Sequence, residues 1–194
     1  MKGTKRAERA HVPSRHRGAK PSKGLNNLSW PRLYMERFQA SWETAQRKLK
    51  VADHMLTMTY PLVNDPKLLL NITVNILESM ESAMSSVLEF ERLFKRVPPY
   101  DEDFDGKLVV FQQSIVPEKN IPRNYVVAMN ELRELIRYHK DSHIEFVRKD
   151  RMVMADDNYR LKTLSPGDIK KRLQTAKDFL HLVGPMVTDE RSAA

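Results

Sequence analysis

Apolar residues recur along this chain at alternating steps of three and four, the spacing that gathers them on one side of an α-helix. The first run, Met35, Phe38, Trp42, Ala45, Leu49, Ala52 and Leu56, predicts a helix over residues 31–59. Tyr60-Pro61 should end it, because a proline disfavours helical geometry at the residue before it. Asp65-Pro66 then supplies an N-cap and a first-turn proline for a second long helix. That helix is apolar over a wide arc (Leu69, Ile72, Ile76, Leu77, Met80, Met84, Val87, Leu88, Phe94), so it should touch several neighbours and lie centrally. Pro98-Pro99 stops it. Asp101 and Asp103 open a short third helix with Phe104, Leu108, Phe111 and Ile115 inward, closed by Pro117. A fourth starts at Pro122 and turns Tyr125, Met129, Leu132 and Ile136 inward. The fifth has the clearest start: Ser165 as cap, Pro166 at the first helical position, and Asp168 three residues after the cap. Its stripe is Ile169, Leu173, Ala176, Leu180 and Val183, with Gly184-Pro185 as its end.

Between the fourth and fifth helices the period drops to two. Residues 151–155 and 159–164 read as two short strands around a turn at Asp156-Asp157-Asn158, or as an extended insertion of the same length. Tyr159, Leu161 and Thr163 would share one face, with Arg160 and Lys162 on the solvent side. The expected fold is mainly all-α, an antiparallel bundle of about five helices with a small β-hairpin or extended insertion before the last one. Residues 28–187 form a single domain in this scheme, flanked by a disordered basic arm, 1–27, and a disordered tail, 188–194.

Charge changes the picture at one end only. Residues 1–24 hold Lys2, Lys5, Arg6, Arg9, Arg15, Arg17, Lys20 and Lys23 against Glu8, which is +7 of the formal +8. The body is close to neutral, so the partner implied by the charge is the arm's partner, RNA or another polyanion. A second basic stretch, Arg148, Lys149, Arg151, Arg160 and Lys162 with Tyr159 among them, suits phosphate neutralisation and base stacking. Asp150, Asp156 and Asp157 dilute it to +2, so it needs the arm to attract a polyanion. The chain has no cysteine, which excludes disulfides, thiolate catalysis and cysteine-ligated metals and suits a cytoplasmic location. No apolar run reaches the ~18–20 residues that span a bilayer. There is no glycine-rich phosphate loop, no nucleophile elbow and no paired carboxylates placed for acid–base work, so no cofactor and no metal are expected.

The fourth helix carries the most suggestive polar residues. Its apolar stripe continues onto His139 and, if the helix persists, onto His143, with Arg133 and Arg137 flanking it. A bundle with an arginine and a histidine near the end of a late helix resembles the HEPN superfamily, whose signature is Arg, four to six residues, then His. Arg133 to His139 and Arg137 to His143 both match. Glu134 loosely supplies the polar residue favoured after the arginine, and Tyr138 does not. The likeness covers roughly residues 31–183 by architecture, but its specific motif is a few residues on one helix. Residues 54–162 are also similar to archaeal helical proteins, which adds no activity. Many HEPN members are metal-independent ribonucleases that act as dimers. The resemblance therefore implies His139 as the base for an RNA 2′-hydroxyl, Arg133 as the phosphate-stabilising cation, and a homodimer that completes the site. Arg137 and His143 are the second choice.

Other roles follow from the same residues. His139 and His143 suit the C-terminal end of a helix, where cations and donors are favourable. The arm and hairpin by themselves describe a non-catalytic nucleic-acid or ribonucleoprotein binding module. A bundle that binds an acidic protein is the third role.

Overall fold

Five helices and a three-stranded sheet form from these patterns. The computed structural model describes residues 30–188. The expected basic arm, with all eight of its cations, lies outside the described residues, as do residues 189–194. Helix α1 spans Trp30–His54 and runs on through a π turn, Met55–Thr59, and a last turn, Tyr60–Val63. Helix α2 is Leu68–Leu93. Helix α3 is Phe104–Val110, continued by a π turn, Phe111–Ile115, and Val116–Glu118. Helix α4 is Asn124–Asp141, followed by strands β1 (Ile144–Arg148), β2 (Arg151–Ala155) and β3 (Leu161–Leu164), and then helix α5 (Pro166–Thr188).

Helix α2 packs against the other four, as its wide apolar arc requires. Leu69, Ile72, Ile76, Met80, Met84, Val87 and Leu88 are sealed from solvent. Its closest neighbour is α1, and small residues explain why. Ala45 and Ala52 are fully buried, and the hydroxyls of Ser79 and Ser86 donate to the Ala45 and Phe38 carbonyls, each at 2.8 Å. These two buried hydroxyls thereby gain partners without spacing the helices apart. On the opposite side Phe111 and Phe179 meet edge to face at 6.1 Å and tie α3 to α5.

Three expected helix ends fall elsewhere, two of them for one physical reason. Pro61 and Pro117 do not stop their helices; each follows a π turn that ends two residues before it. A proline ring collides with the carbonyl four residues back and lacks the N–H that would bond it. A widened turn placed just before the ring relieves both problems. The helices end later, at Asn64 and Asn120, which adopt left-handed φ angles of 51° and 53°. Pro185 likewise lies inside α5, which continues to Thr188 instead of ending at Gly184-Pro185. Helix α2 stops before Pro98-Pro99, at Leu93, with Lys95 left-handed (φ 57°) and the Arg96 N–H closing onto the Glu91 carbonyl at 3.0 Å. The expected caps of α3 and α5 form. Asp103 accepts from the Gly106 N–H at 2.8 Å, and Ser165 accepts from the Asp168 N–H at 3.2 Å while donating to the Asp168 carboxylate at 2.6 Å.

The insertion is a sheet of order β1-β2-β3, antiparallel throughout. Strand β1 was not expected from the sequence pattern. It pairs with β2 from Ile144↔Ala155 to Arg148↔Arg151 around a two-residue turn, Lys149-Asp150. Met152, Met154 and Leu164 fill the core from the inner face. That anchoring fixes which side is out, because strand side chains alternate. It also inverts one expectation. Lys162, paired with Met154, belongs to the inner side and lies over the Tyr138 ring at 4.4 Å, while Leu161 and Thr163 face outward. Among the described residues no helix is long and apolar enough to cross a membrane.

Candidate nucleic-acid interface

The outer face of the sheet is built by register. Ile144, Phe146 and Arg148 of β1, Arg151, Val153 and Ala155 of β2, and Leu161 and Thr163 of β3 share it. Phe146 is 45% exposed and Leu161 63%, although both sit beside the buried Val153 and Ala155. A shallow depression of about 350 Å³ forms here, lined by Phe146, Arg148, Lys149, Asp150, Arg151, Val153, Leu161 and Thr163. Three cations therefore converge on an exposed aromatic ring. Lys149 reaches this rim because it is the first residue of the tight turn and takes a φ of 59°. The turn is pinned from beneath, where the Tyr60 hydroxyl donates to the Asp150 carbonyl at 3.2 Å. Arg151 has Asp150 as its charge partner at 3.9 Å, a loose contact.

The other expected cations of this region do not join the patch. The Arg160 guanidinium donates to Asp156 at 2.7 Å, and Lys162 lies over Tyr138. Asp156 organises the β2–β3 connection by also accepting from the Asn158 and Arg160 N–H groups, at 3.0 and 2.9 Å. Burial alone would raise its carboxyl, but the hydrogen bonds from Arg160 and Asn158 outweigh it and hold the group below the ordinary carboxylate value. Tyr159, expected to stack a base, projects from this loop with φ 57° and is almost fully exposed.

The residues proposed for catalysis are placed differently. Arg133 is 31% exposed and paired in bidentate fashion with Asp105, with Nη2 to Oδ2 at 2.7 Å, while its guanidinium covers the Phe104 ring at 4.6 Å. This hydrogen-bonded pairing pulls the Asp105 carboxyl below its usual range. His139 is 29% exposed, and its Nδ1 meets the Glu145 carboxylate at the start of β1. Six residues on a helix correspond to roughly 9 Å of rise and about 120° of rotation, so the two side chains leave α4 in different directions. They are not neighbours in one cleft of a single protomer. Arg137 is exposed and pairs with Glu134 at 3.0 Å. His143 lies past the end of α4, is 74% exposed, and pairs with Asp157 at 2.9 Å. The two histidines thus serve separate carboxylates, each fastening the sheet region. Among the described residues no group of three or more His, Asp or Glu is arranged to hold a metal ion.

Two larger depressions lie elsewhere, between α1 and α5. One of about 660 Å³ is walled by Trp42, Leu49, Leu180 and Pro185, and an adjoining one of about 530 Å³ by Leu56, Tyr60 and Leu173. Asp53 and Lys177 line both and pair with each other at 2.7 Å, so the central charges of this groove are matched. Phe146 and its neighbours were missed because Ile144, Phe146 and Val147 put apolar residues on both faces of β1 and leave no clean alternation to read. No protein-family model matches the chain, and no curated protein or solved structure shows detectable similarity to it.

Proposed function

We propose that this chain binds single-stranded RNA on the outer face of its sheet, with the basic arm adding sequence-independent attraction for phosphate. The observation that carries this is the depression where Phe146 lies among Arg148, Lys149 and Arg151. An exposed aromatic ring offers a face for a base, and the cations around it offer partners for the flanking phosphates. Base stacking of this kind contributes about 1–3 kcal/mol per base. The arm's +7 supplies the long-range term. A binding role also suits α4, where Arg133 and His139 are held by different carboxylates instead of facing one substrate. The likeness to HEPN ribonucleases stands as the second reading, and the partial exposure of His139 is what favours it.

Fluorescence anisotropy with labelled single-stranded RNA, single-stranded DNA and duplex, over a range of salt, tests the proposal. Phe146→Ala should weaken RNA binding roughly 5- to 150-fold, the equivalent of one lost stacking contact. Arg148→Ala with Arg151→Ala should lower the salt slope by about 1.4, since each lost phosphate contact on a single strand removes about 0.7. Unchanged affinity and slope in these variants would overturn the sheet as the site. Metal-independent cleavage of RNA by the unmodified protein, lost in His139→Ala, would move the case to the second reading.

A further inference from the structure

We infer that β1 pairs with β1 of a second copy of this chain, antiparallel, with Phe146 on the two-fold axis. Backbone groups of β2 point alternately toward its two neighbours. The Asp156 N–H bonds the Arg160 carbonyl at 3.2 Å, so residue 156 turns its polar groups toward β3. In an antiparallel ladder this direction alternates along the strand, so Ala155, and with it Val153 and Arg151, turns toward β1. Their partners Ile144, Phe146 and Arg148 are thereby satisfied. Glu145 and Val147 must point their N–H and C=O groups away from β2, along an edge that no strand occupies among the described residues.

That edge carries two charged residues, Glu145 on the inner face and Arg148 on the outer, and few of the other devices that blunt one. All five residues of β1 are exposed, and the strand contains no proline, lysine or bulge. Its single carboxylate, Glu145, is already engaged by His139. An extended edge with its outward N–H and C=O groups unpaired is a template for another strand.

The self-pairing register follows from three requirements. The outward-pointing residues must meet each other, side chains must keep their faces, and the overlap should be as long as possible. Only Glu145↔Val147, Phe146↔Phe146 and Ile144↔Arg148 use all five residues. Shifting one way places Glu145 opposite its own copy, and shifting the other way runs into the Lys149-Asp150 turn. In the chosen register four backbone hydrogen bonds form between Glu145 and Val147 of the two copies. Phe146 faces its symmetry mate as a non-hydrogen-bonded pair, with Cβ atoms about 4.5–5.5 Å apart, and this position favours aromatic pairs. The shared edge is only roughly 17 Å long, so the dimer is a small and reversible one. It creates a continuous six-stranded sheet with both outer faces on one side. Phe146 serves both this pairing and the proposed RNA site, and the pairing is tested without nucleic acid so that the two can fail separately.

The absence of cysteine from the chain makes a direct test available. Single-cysteine variants Phe146→Cys and Ile144→Cys, both at exposed positions, are oxidised mildly without nucleic acid, with circular dichroism to confirm folding. Phe146→Cys should form a disulfide-linked dimer roughly tenfold faster, because only that position brings its own copy within bridging distance. Sedimentation equilibrium should show a reversible dimer of the unmodified chain. Phe146→Lys and Phe146→Glu should each be monomeric alone and associate when mixed, since the axis sets each charge opposite its copy. Equal cross-linking rates, an unmodified chain that stays monomeric at high micromolar concentration, or failure of the mixed variants to associate would each overturn it.

Discussion

Tyr138→Phe removes one hydroxyl from the joint between α4 and the sheet, and its cost can be worked out atom by atom. The Tyr138 hydroxyl donates to the Arg160 carbonyl and accepts from the Asp156 N–H at 3.1 Å, so it ties both ends of the β2–β3 connection to α4. Each such bond contributes about 0.5–1.5 kcal/mol net. The substitution leaves neither partner orphaned, because the Asp156 N–H also bonds the Arg160 carbonyl at 3.2 Å. The larger penalty for an unsatisfied buried group therefore does not apply, and water can reach the exposed side of the loop. The ring itself remains, with Lys162 above it at 4.4 Å and its packing against the core intact. The expected loss is about 1 kcal/mol, toward the low end for two hydrogen bonds.

Urea unfolding followed by circular dichroism reads this as a lower midpoint at an unchanged slope. Amide hydrogen exchange adds the location. Protection of the Asp156 and β3 amides should fall more than that of α2, since the loss is local before it is global. A change below about 0.3 kcal/mol would mean that solvent already replaces both bonds, within the scatter of ordinary surface substitutions. A loss as large as that of Tyr138→Ala would assign the contribution to the hydroxyl alone and refute the division made here.

Two further substitutions probe the bundle. Gly106→Ala places a methyl 2.7 Å from the Asp101 carbonyl and 2.9 Å from the Asp103 oxygen that caps α3. Overpacking of about 1–3 kcal/mol should outweigh the ~1 kcal/mol gained in helix propensity, read as a lower urea midpoint, and a stabilised variant would refute the crowding. Glu89 is buried on α2, where desolvation raises its carboxyl above the ordinary 4.5 despite the Ser41 hydroxyl at 2.8 Å and Arg37 nearby. The folded chain then holds this proton more tightly than the unfolded one. Its favourable contribution is fully present below about 4.5 and is lost as pH rises through the raised value. Glu89→Gln should flatten the stability profile across that window, and an identical profile would show that the carboxylate is adequately solvated or paired.

The bundle was legible because helical burial leaves a periodic trace over long runs. Ile169, Leu173, Ala176, Leu180 and Val183 are all buried, as their spacing required. Prolines were misread because sequence shows a ring that cannot continue a helix, whereas the chain inserts an extra residue before Pro61 and Pro117 and carries on. Strand β1 was missed because five residues with every side chain exposed give no burial contrast to detect. The inversion at Lys162 has the same source. Alternation tells which residues share a face, but only the packing of Met154 and Leu164 decides which face is inside. The candidate pair on α4 was visible as residue types. Its separation was set by carboxylates distant in sequence, Asp105 and Glu145, which no local motif encodes.

Those carboxylates also bear on where phosphate would bind. Arg133, His139, His143 and Arg160 each already meet an acid, at Asp105, Glu145, Asp157 and Asp156 respectively. A phosphate approaching any of them must displace a carboxylate with comparable hydrogen-bonding capacity, so much of the attraction is cancelled by what is broken. At the tip of the sheet the balance differs. Arg151 has only the loose contact with Asp150, and Arg148 and Lys149 project beside it around the same depression. These cations can gain a phosphate at little cost in existing pairs, and screening by salt acts on them as on any exposed charge. Phe146 adjoins them on the same face, held there by the register of β1 on β2. One of the pairs that disable α4 as a simple charged surface thus performs a second task. His139 with Glu145 ties β1 to the end of α4, beneath a face whose cations remain available.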